Sequence, residues 1–258
     1  MNGPRRALVR GLSDRYTDAT VHHFAHEGPI NLTRARAQHA RYVRALERIG
    51  LNVRHLPGDP RLPDCCFVED MAVVSGHVAL ITRSGLPSRR PEADAVRRVL
   101  CEHLDVRLMQ APARLDGGDV LKVGRVMFVG QGARTNAEGA AILADTFMPR
   151  GYTIRPVPLP DTILHLKSVC SSPAPGLVVL AEGTLDPALF DGLARVVTIP
   201  AEETYAANTL GCNGKALVPR GYPRTRAALE AAGLEVIGLE MSEIRKGDGS
   251  LTCLSVWY

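Results

Sequence analysis

The 258-residue sequence carries 31 basic and 27 acidic residues, is 45% hydrophobic and has only 5% aromatic residues. Its arginines are scattered and its rings few, which argues against a nucleic-acid platform, and no window approaches a membrane span. Six cysteines without a CxxC pair, and an Arg5-Arg6 start with no apolar run behind it, fit reduced thiols in a cytoplasmic protein rather than a secreted disulfide framework.

Taken in chain order, Arg6 to Gly11 reads as a short buried strand ending in a glycine turn. Leu12 to Pro29 is polar and aperiodic and is predicted to be a loop, of a length that usually marks a functional lid or a disordered insert. His22, His23 and His26 lie there without a cysteine or carboxylate at ligand spacing, so they read as solvated. Thr33 to Ile49 has helical apolar spacing with Gly50 as its stop, and Leu51 to Leu56 is a strand.

From Asp64 a pattern recurs: polar residue, short strand, glycine turn, apolar strand, helix. The first copy runs through Asp64, Glu69 and Asp70, the turn at Ser75-Gly76, a strand at 78–82 and a helix from Pro91 to His103. The second has Asp116 and Asp119, a turn at Gly124, a strand at 126–129 and a helix from Ala137 to Phe147. The third has His165, a strand at 177–180 and a weak helix from Pro187. The fourth has Asn208, the turn Asn213-Gly214, a strand at 216–218 and a helix from Arg224 to Ala232. The tail, where a Gly-Asp-Gly turn at 247–249 leads to Cys253, is half a fifth copy that Ala7-Leu-Val9 can complete. Such a period, about 40 to 50 residues, belongs to propellers and arrays, and joining the termini closes a ring without a free edge. The expectation is an α/β fold of five pseudo-equivalent ββαβ units around a central site, in a single catalytic domain, 1–258.

Around a closed ring the polar residues that begin each unit meet at one place. A lone cysteine is by default a buried core thiol, and a lone histidine is as easily a core group bonded to backbone. Glu69, Asp70 and Asp116 together suit a planar cation, because carboxylates grip a guanidinium through forked, charge-assisted hydrogen bonds. Cys253 can then attack the electrophilic carbon, provided it is a thiolate, a form favoured by a cationic substrate or a protonated His165. His165 can protonate a leaving amine and later deprotonate water. Oxygen ligation of a metal by Asp64, Glu69 and Asp70 is the competing reading, but their spacing fits no known loop and leaves Cys253 unused. Arg89 and Arg134 recur before the helices of two units, Pro91 standing at the first position of one and Thr135 with Glu138 forming a capping box on the other. Arginines there make anion sites. A ligand with a guanidinium at one end and a carboxylate at the other is arginine-like.

Phe67-Val-Glu-Asp70, Ser88-Arg-Arg90, Gly117-Gly-Asp119, Gly132-Ala-Arg-Thr-Asn136, Leu164-His-Leu-Lys167, Ala201-Glu-Glu-Thr-Tyr-Ala-Ala-Asn208, Gly221-Tyr-Pro-Arg-Thr225 and Asp248-Gly-Ser-Leu-Thr-Cys253 closely resemble dimethylarginine dimethylaminohydrolases, in order and over nearly the whole chain. The resemblance implies the five-bladed α/β propeller of the guanidino-group-modifying superfamily and no catalytic metal or cofactor. It implies Cys253 as nucleophile, His165 as acid and base, and Asp116 as the carboxylate that orients His165; some members have Glu there. It further implies Glu69 and Asp70 on the guanidinium, Arg89 and Arg134 on the α-carboxylate, and Asp64 with the carbonyls of Leu12 and Gly247 on the α-amine. The loop after Leu12, which matches poorly, would be the lid. The reaction implied is hydrolysis of Nω-methylated arginines to citrulline and a methylamine. Arginine deiminase, another guanidine hydrolase, an amidinotransferase and a non-catalytic binder of cationic amino acids are the alternatives. The expected partner is this small molecule alone, with no nucleic acid and no membrane, and a homodimer is left open.

Overall fold

A computed structural model describes residues 6–258; Arg5 of the Arg5-Arg6 pair lies outside them. The strands are β1 (Arg6–Arg10), β2 (Asn52–Leu56), β3 (Ala72–Ser75), β4 (Val78–Ile81), β5 (Asp105–Leu108), β6 (Val120–Val123), β7 (Val126–Gln131), β8 (Thr153–Pro158), β9 (Cys170–Ala174), β10 (Leu177–Ala181), β11 (Arg195–Ile199), β12 (Leu210–Cys212), β13 (Lys215–Pro219), β14 (Glu235–Leu239) and β15 (Ser255–Trp257). The helices are α1 (Leu32–Arg48), α2 (Ala93–Leu100), α3 (Ala137–Phe147), α4 (Pro223–Ala231) and the short α5 (Ser242–Arg245).

These strands form five three-stranded sheets, β15-β1-β2, β3-β4-β5, β6-β7-β8, β9-β10-β11 and β12-β13-β14. In each, an antiparallel pair is followed by a parallel strand. This is the expected five-bladed α/β propeller. The blade made from the two ends of the chain is present: Ala7, Leu8 and Val9 pair antiparallel with Trp257, Val256 and Ser255, and β1 pairs parallel with β2.

The hairpin turns carry the backbone signal that made the repeat legible. Asn213 and Gly214 both have positive φ, 53° and 75°, as a two-residue turn matched to strand twist requires. Every parallel crossover is an α-helix except one: the weak helix read from Pro187 is a single 3-10 turn, Pro187–Phe190, capped by Asp186. Two boundaries also differ from expectation. Pro91 does not open α2 but lies inside a 3-10 segment, Pro87–Glu92. Thr135 is not the cap of α3; Asn136 is, its side chain accepting from the Gly139 N–H, and the Thr135 hydroxyl is spent elsewhere.

The apolar core is divided among the interfaces between blades. Val73 and Leu80 of one blade pack with Met127, Leu143 and Phe147 of the next. Leu121 and Phe128 pack with Val178, Leu180 and Phe190, and Val179 and Ile199 with Ala216, Val218 and Leu229. Leu217 and Leu239 meet Ala7, Val9 and Leu46, and Leu8 and Val256 meet Ala79 and Val96, closing the circle. A blade alone leaves two apolar faces wet, at about 25 cal/mol per Å², so the five are stable only as a ring.

Candidate active site

Each blade is entered through a 3-10 turn, an element the sequence pattern did not reveal. The turns are Val68–Met71, Gly117–Asp119, Leu166–Ser168, Ala201–Ala207 and Thr252–Leu254. They hold or immediately flank Glu69 and Asp70, Asp116 and Asp119, His165, Asn208, and Cys253. A 3-10 turn projects successive side chains in widely different directions, so one turn can put Glu69 and Asp70 to different uses. Neighbouring turns abut closely because glycine allows it. A Cβ on Gly117 would lie 2.0 Å from the Glu69 carbonyl oxygen, and one on Gly118 would lie 2.8 Å from Asp70 Oδ1 and 2.9 Å from His165 Nδ1.

His165 is the electrostatic centre. Its Nε2 lies 3.1 Å from Asp116 Oδ2, and Asp116, fully buried, accepts from Gly85 N–H at 3.0 Å through its other oxygen. Thr135 accepts from the Asp116 N–H and donates to Asp119 at 2.6 Å. Asp119 in turn accepts from the Leu166 N–H at 3.0 Å, fixing the turn that carries the imidazole. Burial opposes charge on His165, but Asp70, Asp119 and Asp116 outweigh it and raise the pKa to about 9. The imidazole is therefore charged at neutral pH. Asp70, Asp116 and His165 are also spaced as a metal could require. Their facing atoms already bond Arg89, the Gly118 N–H and, between Asp116 and His165, one another.

Cys253 is only partly exposed. Burial first, then the charges of Glu69 and Asp70, push its thiol up to about 12. The free protein therefore holds Cys253 as a thiol, and a cationic substrate is the remaining influence expected to favour its thiolate. Glu69 itself is engaged: it accepts from Lys167 Nζ and from Thr252 Oγ1. Asn208 ties this group together, donating to the Lys167 carbonyl at 2.9 Å and accepting from Thr252 N–H at 2.9 Å. Nothing in the sequence pattern singles out Lys167, although it stands two residues from His165.

Two cavities meet at this centre. One of about 30 Å³ is bordered by Thr20, Asp64, Asp70, Arg89, Arg134 and Gly247. The other, about 350 Å³, is bordered by Glu69, Lys167, Asn208 and the aromatic rings of Phe24, Tyr205 and Tyr222. Leu164, His165, Asp248 and Cys253 border both. Leu12 borders neither, a departure from the expected set. Its side chain is in the core, and its carbonyl oxygen points at Gly58, within 2.3 Å of where a Cβ there would stand. From the loop after Leu12, Thr20 borders the smaller cavity, its N–H and hydroxyl both bonding Asp64, at 3.1 and 3.2 Å. The same loop is tied a second time by Asp248, which accepts from the N–H groups of His22, His23 and Phe24. His22, His23 and His26 are exposed, as expected.

The two arginines are not equivalent. Arg134 makes one long bond, Nη1 to Asp116 Oδ2 at 3.5 Å. Arg89 is buried and bonded to Asp70 at 2.7 Å, to Glu92 at 2.9 Å and to the Phe67 carbonyl at 3.1 Å.

No family model matches the chain. It is 34% identical, over 99% of its length and 96% of the relative's, to the N(G),N(G)-dimethylarginine dimethylaminohydrolase of Pseudomonas aeruginosa. To the enzyme so named in Streptomyces coelicolor it is 37% identical, over 98% of this chain and 96% of that one. The solved structure of a cysteine-to-serine mutant of the Pseudomonas aeruginosa enzyme, complexed with citrulline, superposes with a TM-score of 0.93 at 32% identity. It covers 99% of this chain and 100% of that one.

Proposed function

The chain belongs to the dimethylarginine dimethylaminohydrolase family, and from that premise we infer that it hydrolyses Nω-methylated arginines to citrulline and dimethylamine or methylamine. The observation that carries this reading is the position of Cys253 and His165 at the seam of two cavities, one of them bordered by Asp64 and Arg134. Those charges match the two ends of an α-amino acid. Residues 1–258 act as one catalytic unit, in the reducing setting of the cytoplasm, where six free thiols persist. Among the described residues no helix is long and apolar enough to cross a membrane.

In the proposed reaction Asp64 and the Gly247 carbonyl receive the α-amine, Arg134 the α-carboxylate, and Glu69 and Asp70 the guanidinium. Seating the cation against Glu69 and Asp70 cancels the two charges that, after burial, raise the thiol pKa, so the thiol gives its proton to solvent and the thiolate forms when substrate is present. Its sulfur bonds to the guanidinium carbon. The C–N bond to the methylated nitrogen breaks, and His165 gives its proton to the departing amine. The neutral imidazole then takes a proton from water and the water oxygen adds to the carbon; the C–S bond breaks as the remaining hydroxyl proton passes to the departing sulfur, and citrulline leaves with the thiol and the imidazolium restored. Turnover of dimethylarginine, monomethylarginine, arginine and agmatine, with citrulline and amine quantified, tests the reading. Arginine consumed faster than both methylated forms overturns it in favour of a deiminase.

The thiol makes a second test. Iodoacetamide should label Cys253 of the free protein slowly at about pH 8, and still faster at each step above about pH 9.5, whereas an ordinary thiol is half ionised at about pH 8.5. Peptide mapping is needed, because Cys101 is exposed and will also react. A rate that levels off below about pH 8.5 would show a resting thiolate.

Replacing the arginines should separate their roles. Arg134→Ala removes an interaction present in ground and transition states alike and should mainly raise KM. A charge-assisted hydrogen bond contributes roughly 1.5–3 kcal/mol, so the loss in kcat/KM is about ten- to a hundredfold, and agmatine, which lacks the carboxylate, should lose little further. Arg89→Ala instead leaves Asp70 and Glu92 buried without their cation, at a stability loss of about 3–5 kcal/mol. Thermal unfolding distinguishes the two: only the Arg89 variant should lose several degrees of Tm.

A further inference from the structure

The amount of space beyond Cys253 exceeds what methyl groups need. A water-sized group occupies about 10–15 Å³ of such a volume, and the chamber measures about 350 Å³. The small cavity, about 30 Å³, is the one with Asp64 and Arg134, so the charged end of the amino acid is directed toward that side. Asp70 borders the small cavity and Glu69 the large one. A guanidinium held between these two carboxylates therefore straddles the seam, with its outer nitrogen turned to the chamber.

The chamber wall is aromatic and already held in place. Arg245 lies over the rings of Phe24 and Tyr205, 5.6 and 5.4 Å from their centres. Its guanidinium is neutralised by Glu27 at 2.8 Å and donates to the Tyr222 hydroxyl at 2.8 Å. The Tyr205 hydroxyl donates to the Gly249 carbonyl at 2.8 Å. With that cation paired and those hydroxyls engaged, the rings, Ile163, Leu164 and Val169 form an apolar wall beside the polar Thr162, Ser168, Glu202 and Thr204, and that wall binds alkyl or aryl groups.

We infer that the chain also hydrolyses arginines whose Nω-substituent is much larger than methyl, an uncharged alkyl or aryl group lying in this chamber; the inference rests on the hydrolysis proposed above. The bond changes are the same. Water supplies the oxygen of the ureido product, the bond from the guanidinium carbon to the substituted nitrogen breaks, and the primary amine leaves protonated, with no oxidant or reductant involved.

Nω-methyl-, Nω-propyl- and Nω-benzyl-arginine, compared as substrates of the full chain by citrulline and amine release, provide the test. The propyl and benzyl compounds should reach kcat/KM within tenfold of the methyl compound. Ala201 borders the chamber and is exposed, so Ala201→Trp fills space without touching the core; Thr204→Phe, from the same turn, is a second such variant. Both should lower turnover of the benzyl compound at least tenfold and change the methyl compound less than twofold. Methyl turnover without propyl or benzyl turnover overturns the inference and leaves the proposed function standing. Benzyl turnover unaffected by either variant also overturns it, since the substituent would then lie elsewhere. If no methylated arginine is hydrolysed, the proposed function fails and this inference fails with it.

Discussion

Cys253→Ser should abolish citrulline formation, by about 10⁴-fold or more, while the protein folds normally and still binds substrate. The serine differs by one atom, and Cys253 packs only at the edge of the core while bordering both cavities, so little packing is lost. A serine hydroxyl in the same place has no base poised to ionise it: His165 is already protonated and held so by Asp70, Asp119 and Asp116 against the effect of burial. None of the other five cysteines should matter in this way. Cys65, Cys66, Cys101, Cys170 and Cys212 border neither cavity. Residual turnover above a few per cent, with the substitution verified by mass, would rule out a covalent mechanism.

His165→Gly should halt both half-reactions, because one imidazole serves as acid toward the amine and then as base toward water. General acid–base catalysis contributes about 10²–10⁴-fold to each step. Rapid quench and mass spectrometry should find no accumulated adduct with dimethylarginine; an adduct that builds up would mean the amine leaves with another group's proton. The variant should also change how stability depends on pH. A histidine whose folded pKa is raised contributes stability that is complete below its unfolded value, about 6.5. That contribution is lost as pH rises through the folded value of about 9. The native protein should therefore lose Tm between about pH 7 and pH 10 through this group, and the variant should lack that component.

How the fold was legible can be traced to particular positions. Asn213-Gly214, Gly124 and Gly76 mark hairpins because positive φ is needed there and the sequence shows who can adopt it. The apolar runs at 78–81, 126–129 and 177–180 are buried strands in three blades. The fifth blade was legible because Ala7-Leu-Val9 and the tail were each incomplete alone. Less was visible between blades. The 3-10 turns that deliver the site, four of them only three or four residues long, have no periodic signature, and the coupling of Lys167 to Glu69, 98 positions apart, leaves no trace in spacing. Leu12 was placed at the pocket from a poorly matched loop, and only the chain path shows that Thr20 stands there.

The residue types at the head of each unit, and the rule that five incomplete units must close to cover their apolar faces, were set by the amino-acid sequence. Closure is a property of hydrophobic burial and hydrogen-bond pairing, both of which act through local pattern. Charge states and partners were decided only in three dimensions. Whether Arg89 meets a substrate or is taken up by Asp70 and Glu92 depends on distances between distant segments. So do the raised pKa values of Cys253 and His165, because electrostatic energy in a buried site varies with separation and solvent exposure, quantities that sequence order does not contain.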